Sequence, residues 1–275
     1  MDKELRPIYV LSRKRCGKSP TLSFLAAAGV PHFVVVEADE KTAYTIAHPK
    51  STVLVLDPSY QTGYDYMDNF GVTICPGPGP VRNFIHDHAR SCSLKQYWAI
   101  DDDISGVGTR NGEKRSVFSP ADSLRVMLEM QTFCYQYSDI AMAGVGMMAF
   151  ARADAIGSSR FTYNHAPICM LLIDPVAPLK WRGRLSEDLI TIVDVLKAGW
   201  NTITFKRYFH DAPGAMKTSG GLTDIYQKLG LSERAAYLSR AHPNYAKVIY
   251  KYGHQHNLID FGAWKSRRPT LRKKT

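Results

Sequence analysis

The sequence predicts an α/β fold whose strands are covered on both faces. Two observations carry this reading. Short β-branched runs such as HFVVVE and TVLVLD stand between prolines and glycines, as fully buried strands do. Segments with apolar residues at helical spacing lie between such runs. A chain of 275 residues is long enough for one large domain with a smaller appendage, and a hydrophobic content of 45% excludes wholesale disorder.

In chain order, PIYVLS (7–12) is a strand that stops in polar RKRCGKS. SPTLSFLAAAG (19–29) is a helix, with Ser19 as cap, Pro20 in the first turn and Gly29 at the end. HFVVVE (32–37) and TVLVLD (52–57) are strands. CPGPGP (75–80) is a rigid turn, since its prolines lack donors and its glycines tolerate unusual dihedrals. Val81, Phe84, Ile85, His88, Ala89 and Cys92 then recur at helical spacing, so 80–93 is an amphipathic helix feeding the strand YWAI. Ser119-Pro120 opens another helix to about Phe133. ICMLLID (168–174) is a buried strand, LSEDLITIVDVLKAG (185–199) a helix capped by Ser186 and closed by Gly199, and NTITF (201–205) a strand. Residues 1–220 therefore form the α/β domain and 221–275 a mainly helical extension with a basic tail.

Charge is unevenly placed. The net charge is +10, and KSRRPTLRKKT at the C-terminus brings together Lys265, Arg267, Arg268, Arg272, Lys273 and Lys274 with no acid among them. Such a tail contacts a polyanion, nucleic acid in the first place, or solubilises the chain. Five cysteines without a CxxC pair speak against a disulfide framework and a zinc cluster. No apolar run approaches the roughly 20 residues that span a bilayer, and MDKELRPIYV lacks a signal-peptide core. The expectation is a soluble cytoplasmic protein with no membrane partner.

Several motifs bear on chemistry. CGKS (16–19) ends like a phosphate-binding loop, but Ser12 stands where that motif needs its first glycine, so an ATPase is excluded. The loop after the first strand can still hold a nucleotide through Ser12 and Arg13. In QYWAIDDDIS an apolar strand delivers Asp101, Asp102 and Asp103 to its carboxyl edge. That concentrates charge a hard divalent cation can neutralise, the alternative being a solvated acidic turn or a helix cap. Alternation puts Asp101 and Asp103 on one side and Asp102 on the other. Glu187 and Asp188 begin a helix after basic KWRGR, either as dipole-favoured caps or as a base. His210 is expected in a polar loop after a strand, where an imidazole can join a metal shell. Lys217 opens the mobile-looking KTSGG, which can close on a diphosphate or be a plain loop.

IYVLSR, the VRN at 81–83, WAIDDDI, the SEDL helix start and the late histidine before a Gly-rich loop come in an order that resembles the GT-A class of nucleotide-sugar-dependent glycosyltransferases. More narrowly, the chain resembles the TET/JBP-associated glycosyltransferases found in phage genomes, which places it in a host cytoplasm if phage-encoded. The resemblance implies a single Rossmann-like GT-A domain over about 6–220. It implies that Asp103 and Asp101 hold a divalent metal, Mn²⁺ or Mg²⁺, with His210 as a further ligand. Ser12, Arg13, Glu37, Arg82, Asp101, Asp102 and Lys217 would hold a nucleotide-sugar donor, most readily UDP-glucose. Asp188, or its neighbour Glu187, would be the base of an inverting transfer. The implied acceptor is a hydroxymethylated pyrimidine in DNA, 5-hydroxymethyluracil or 5-hydroxymethylcytosine, on which Trp181, Trp200 and Trp264 could stack. The rivals are a protein, glycan or small-molecule acceptor, and a non-catalytic nucleic-acid-binding protein on the same frame.

Overall fold

The computed structural model describes residues 4–111, 114–147, 160–212, 225, 228–251 and 253–273. Its first half alternates strand and helix: β1 (Ile8–Leu11), α1 (Pro20–Ala27), β2 (His32–Val36), α2 (Lys41–Ala47), β3 (Ser51–Val55), a single turn α3 (Ser59–Thr62), α4 (Gly79–Ser91) and β4 (Tyr97–Asp101). These strands pair in parallel in the order β3-β2-β1-β4. Then come β5 (Gly106–Asn111), β6 (Lys114–Val117), α5 (Pro120–Cys134), β7 (Ile140–Met147), β8 (Phe161–Tyr163), β9 (Met170–Ile173), α6 (Glu187–Lys197) and β10 (Asn201–Asp211). β9 runs antiparallel between β4 and β7, and β10 is parallel to β7. One ten-stranded sheet results, in the order β3-β2-β1-β4-β9-β7-β10-β5-β6, with β8 pairing β10. This is the Rossmann-like α/β architecture expected, and the strands of its parallel half share one carboxyl edge.

Each face of the sheet carries its own core. Ile8, Val10, Trp98 and Ile100 pack with Leu22 and Leu25 of α1 and Val126, Met127 and Met130 of α5. Their neighbours Tyr9, Leu11, Tyr97 and Ala99 point the other way, to Ile85 and Ala89 of α4 and Ile192, Val193 and Leu196 of α6. Caps fix where the helices start. The Ser19 hydroxyl accepts the Leu22 N–H (3.2 Å), Ser119 does the same for Asp122 (3.2 Å), and Gly29 leaves α1 at φ +68°.

Three expectations change. Ser186 does precede α6, but it sits in the left-handed region at φ +57° and its side chain makes no capping bond. Its hydroxyl instead donates to Arg234 O at 2.9 Å. Residues 201–205 are only the beginning of β10, which runs on to Asp211 and takes His210 into the sheet. Among the described residues the C-terminal extension is not mainly helical: helix α7 (Leu231–Ala241) is followed by a hairpin of β11 (Ala246–Lys251) and β12 (His254–Ile259), then a 3₁₀ turn at Phe261–Trp264. Alternating Val248, Tyr250, Gln255 and Asn257 about the turn at Gly253 carried that strand signal. Among the described residues, no helix is long and apolar enough to cross a membrane.

Candidate active site

The side-chain alternation that buries Tyr97 and Ala99 against α4 and α6 carries Asp101, the last residue of β4, to the same face at the carboxyl edge. There Arg82 of α4 donates from Nη2 to Asp101 Oδ1 at 2.7 Å, and its Nε lies 3.6 Å from Glu187 Oε1 at the start of α6. Arg82 is 2% exposed. Burial disfavours its charge, but Asp101, Glu187 and Asp188 outweigh this and raise its pKa. Two of the carboxylates around it, Asp101 and Glu187, resist ionisation. Burial, then the charges of Asp103, Asp102 and Asp188, lift Asp101 to about 6 although Arg82 opposes them. Burial and the adjacent Asp188 push Glu187 well above the carboxylate range. Asp188 itself is half-buried and more open to the edge than Glu187.

Asp102 turns to the opposite side and is 5% exposed. Its Oδ2 accepts from the Ser12 hydroxyl and its Oδ1 from Arg15 Nη1, each at 2.5 Å, and Arg15 Nη1 also reaches Asp103 Oδ2 at 3.1 Å. The start of α1 fastens the acidic turn. Ser19 donates to Asp102 O (2.8 Å), while the Thr21 hydroxyl donates to Asp101 O (2.6 Å) and accepts the Ile104 N–H (2.9 Å). Of the division anticipated from alternation, Asp101 and Asp102 do turn apart, but β4 ends at Asp101 and Asp103 shares Arg15 Nη1 with Asp102; the side chains of Asp101 and Asp103 are 30% and 26% exposed.

A cleft of about 440 Å³ opens beyond the end of β1 and is lined by Arg13, Glu37, Gln61 and Cys75. Arg13 Nε pairs with Glu37 Oε1 at 3.2 Å, and Gln61 Nε2 donates to the same oxygen at 3.3 Å. Of the anticipated donor contacts, Arg13 and Glu37 are brought together here. Ser12 is not, because its hydroxyl is engaged by Asp102 and by the Tyr44 hydroxyl at 2.7 Å. Arg82 is enclosed beside Asp101, and Lys217 lies outside the described residues.

His210 stands inside β10 opposite Val107 of β5, not in a polar loop. It is fully buried, neither ring nitrogen has a hydrogen-bond partner, and burial lowers its pKa to about 4. Val107 belongs to the core under α1 and α5, the face opposite Asp101. Among the described residues, no group of three or more His, Cys, Asp or Glu side chains is arranged to hold a metal ion. Asp101 and Asp103 each give one carboxylate oxygen to an arginine, Arg82 and Arg15 respectively.

The basic tail lies elsewhere. Leu271 bridges to Tyr137, Thr270 O accepts the Ser138 N–H at 2.9 Å, and Arg272 lies 3.7 Å from Asp174 Oδ2. Tyr137 precedes β7 and Asp174 follows β9, so the tail is docked at the amino edge of the parallel strands, away from Asp101. Arg267 is spent on anchoring: it donates to Leu196 O at 2.9 Å and to Trp200 O. Lys265, Arg268 and Lys273 stay exposed there, and Lys274 is outside the described residues. Trp181 and Trp264 are core residues, at 1% and 7% exposure.

Sequence reasoning missed two supports. Arg184, fully buried, donates to both Asp68 oxygens (2.7 and 3.0 Å), Gly71 O (2.5 Å) and Cys75 O (2.7 Å), clamping the loop that lines the cleft at Arg13 and Glu37. Arg15 does so for the acidic turn. Both stand in basic clusters, RKR and WRGR, that read as surface charge.

No curated protein matches the chain. Among solved structures it is similar to a mannose-1-phosphate geranyltransferase from Thermus thermophilus, at 11% identity and a TM-score of 0.32, over 87% of this chain and 65% of that one. The chain thus spans less than two thirds of that protein's length. The family described as TET-Associated Glycosyltransferase matches residues 6–221, from β1 through β10. That stretch holds every carboxylate of the site, and the chain belongs to this family of glycosyltransferases.

Proposed function

We propose that the protein transfers a hexose, glucose from UDP-glucose, to the hydroxymethyl group of 5-hydroxymethyluracil or 5-hydroxymethylcytosine in DNA, with inversion at the anomeric carbon. The observation that carries this reading is the convergence of Asp101 and Asp188, from β4 and α6, on one carboxyl edge beside the buried Arg82. The nucleotide fits the cleft at Arg13 and Glu37. Asp101 and Asp103 would hold a divalent cation, Mn²⁺ or Mg²⁺: burial first, and then the charge of Asp103 among others, raises Asp101, and a cation would favour its ionised form. Such an ion neutralises the charge that develops on the departing diphosphate.

Asp188 acts as base. It takes the proton of the acceptor hydroxyl as that oxygen attacks the anomeric carbon, and the bond to the diphosphate breaks on the other side. Glu187 is unsuited to this step, since it is buried and held near Arg82. Arg82 keeps Asp101 oriented through its 2.7 Å bond to Oδ1. His210 is left out of the cation's donor set, because both of its nitrogens are enclosed by the core.

The test is to incubate the protein with hydroxymethylpyrimidine DNA and a panel of nucleotide sugars, then digest and weigh the nucleosides. One added hexose on the modified base is expected. Donor turnover with hexose found only on protein, glycan or small molecules would replace the acceptor, and no turnover of any donor with Mn²⁺ present would sink the enzyme reading.

A further inference from the structure

Beyond the residues matched by the family, the chain builds a two-stranded antiparallel ribbon from β11 and β12, registered from Ala246↔Ile259 to Lys251↔His254. Its root lies in the core. Ala246 is buried and, with Ile259, packs against Leu185 just before α6, Ile190 of α6, and Tyr237 and Leu238 of α7. Alternation then assigns the two faces. Val248 and Tyr250 share the face of Ala246 with Gln255 and Asn257, and Asn257 Nδ2 reaches the Ser186 hydroxyl at 3.5 Å. Ser186 immediately precedes Glu187 and Asp188. Lys247, Ile249 and Lys251 share the opposite face with His256 and Leu258.

Past its root the ribbon leaves the globule. Val248, Tyr250 and Leu258 are 39%, 75% and 44% exposed. Large apolar side chains at such exposure on one projecting element mark a contact surface. Its charge says with what: from Ala241 to Ile259 the sequence has no aspartate or glutamate, while it has Lys247 and Lys251. A cationic and apolar surface without carboxylates is complementary to a polyanion that presents apolar and hydrogen-bonding edges, and the groove of duplex DNA is such a partner. The shape agrees, since a two-stranded β-ribbon fits a major groove about 12 Å wide.

We propose that the β11–β12 ribbon enters the major groove of the acceptor duplex and holds it beside Asp188. This rests on the reading of the acceptor as DNA. Lys247 and Lys251 take phosphates, and Tyr250 and Gln255 meet base edges. A substituent on C5 of a pyrimidine lies in that same groove, so the bound ribbon brings the hydroxymethyl group to the edge where Asp188 stands. The basic tail is at the other edge of the sheet and has no part in this placement.

Anisotropy titrations of unmodified and hydroxymethylated duplexes at several salt concentrations test it. Lys247→Ala/Lys251→Ala should weaken both duplexes about tenfold at roughly 150 mM salt and lower the salt slope by about two. Tyr250→Ala should weaken binding without changing the slope. Melting temperature and donor turnover without DNA should stay as in the unaltered protein, and Lys265→Ala/Arg268→Ala should leave duplex affinity within about twofold. Lys247→Gln/Lys251→Gln, which keeps long side chains, repeats the measurement if the alanines unsettle the hairpin. Undiminished duplex binding by both double variants, or no duplex binding by the unaltered protein at about 50 mM salt, overturns the proposal. Failure of the acceptor reading looks different: the ribbon variants lose duplex binding while no hexose ever reaches DNA.

Discussion

Arg82 Nη2 and Asp101 Oδ1 are 2.7 Å apart at the carboxyl edge of the sheet, with the guanidinium sealed beneath the site. Removing one member of a buried pair leaves the other charge uncompensated, at a cost on the order of 3 kcal/mol or more. Arg82→Met should therefore lower the denaturation midpoint markedly and abolish transfer. Arg82→Lys keeps the charge but cannot serve Asp101 and Glu187 together, so it should recover more stability than activity. An Arg82→Met protein as stable as the parent would remove Arg82 from its place as the organiser of the site.

How much of this was legible follows from where the information sits. The strand WAID and the helix from Ser186 state their own boundaries, because alternation and helical spacing are local. The opposite directions of Asp101 and Asp102, toward Arg82 and toward Ser12, were also readable, since a strand fixes which way successive side chains point. Arg82, Arg15 and Arg184 were not legible as buried ions, because their burial depends on partners 19, 87 and 116 residues away. His210 was misplaced because β10 continues through Lys206 and Arg207, two charged residues that read as the end of a strand. β7 escaped notice because IAMAGVGM is built of small residues. A Cβ at Gly144 would lie 2.6 Å from Met170 O, so the close approach of β9 demands the very residue that weakens the strand signal.

Glu187 and Asp188 are adjacent, yet they should respond differently to substitution. Asp188→Asn removes the proposed base and should reduce transfer about 10²- to 10⁴-fold. Glu187→Gln should retain most of the rate, since the amide fills the same buried space. The stability effect has a definite sign. Folding raises the Glu187 pKa, so the folded state holds its proton more tightly than the unfolded state. The fold is favoured most below the ordinary glutamate value of 4.5, and that contribution declines as pH rises above it. Glu187→Gln should flatten this decline, read as a smaller loss of denaturation midpoint from pH 5 to 8.

The aspartate triplet should divide in the same way. Asp102→Asn loses the charge that anchors Ser12 and Arg15 and should destabilise by roughly 1–3 kcal/mol, as expected for a buried charge-assisted bond. Asp103→Asn should leave the melting temperature close to the parent's while weakening Mn²⁺ binding in calorimetry with UDP present. If Asp102→Asn weakened the cation and Asp103→Asn did not, the two roles would have to be exchanged.

His86 supplies an acid-side test that leaves the carboxylates of the site untouched. It is 2% exposed on α4, its Nδ1 lies 3.0 Å from the Tyr97 hydroxyl, and its ring meets Trp181 at 5.8 Å between centroids. Burial lowers its pKa from 6.5 to about 4. A histidine kept neutral by folding contributes stability that is fully present above 6.5 and is lost as pH falls toward about 4, because the unfolded chain takes up the proton first. His86→Gln keeps a hydrogen-bonding group and has no proton to gain. It should therefore lessen the fall in denaturation midpoint between pH 6.5 and 4 without abolishing it, since His210 is also held neutral, down to about 4, by burial in β10. An unchanged slope in the His86→Gln protein would mean that His86 is already solvated when the chain is folded.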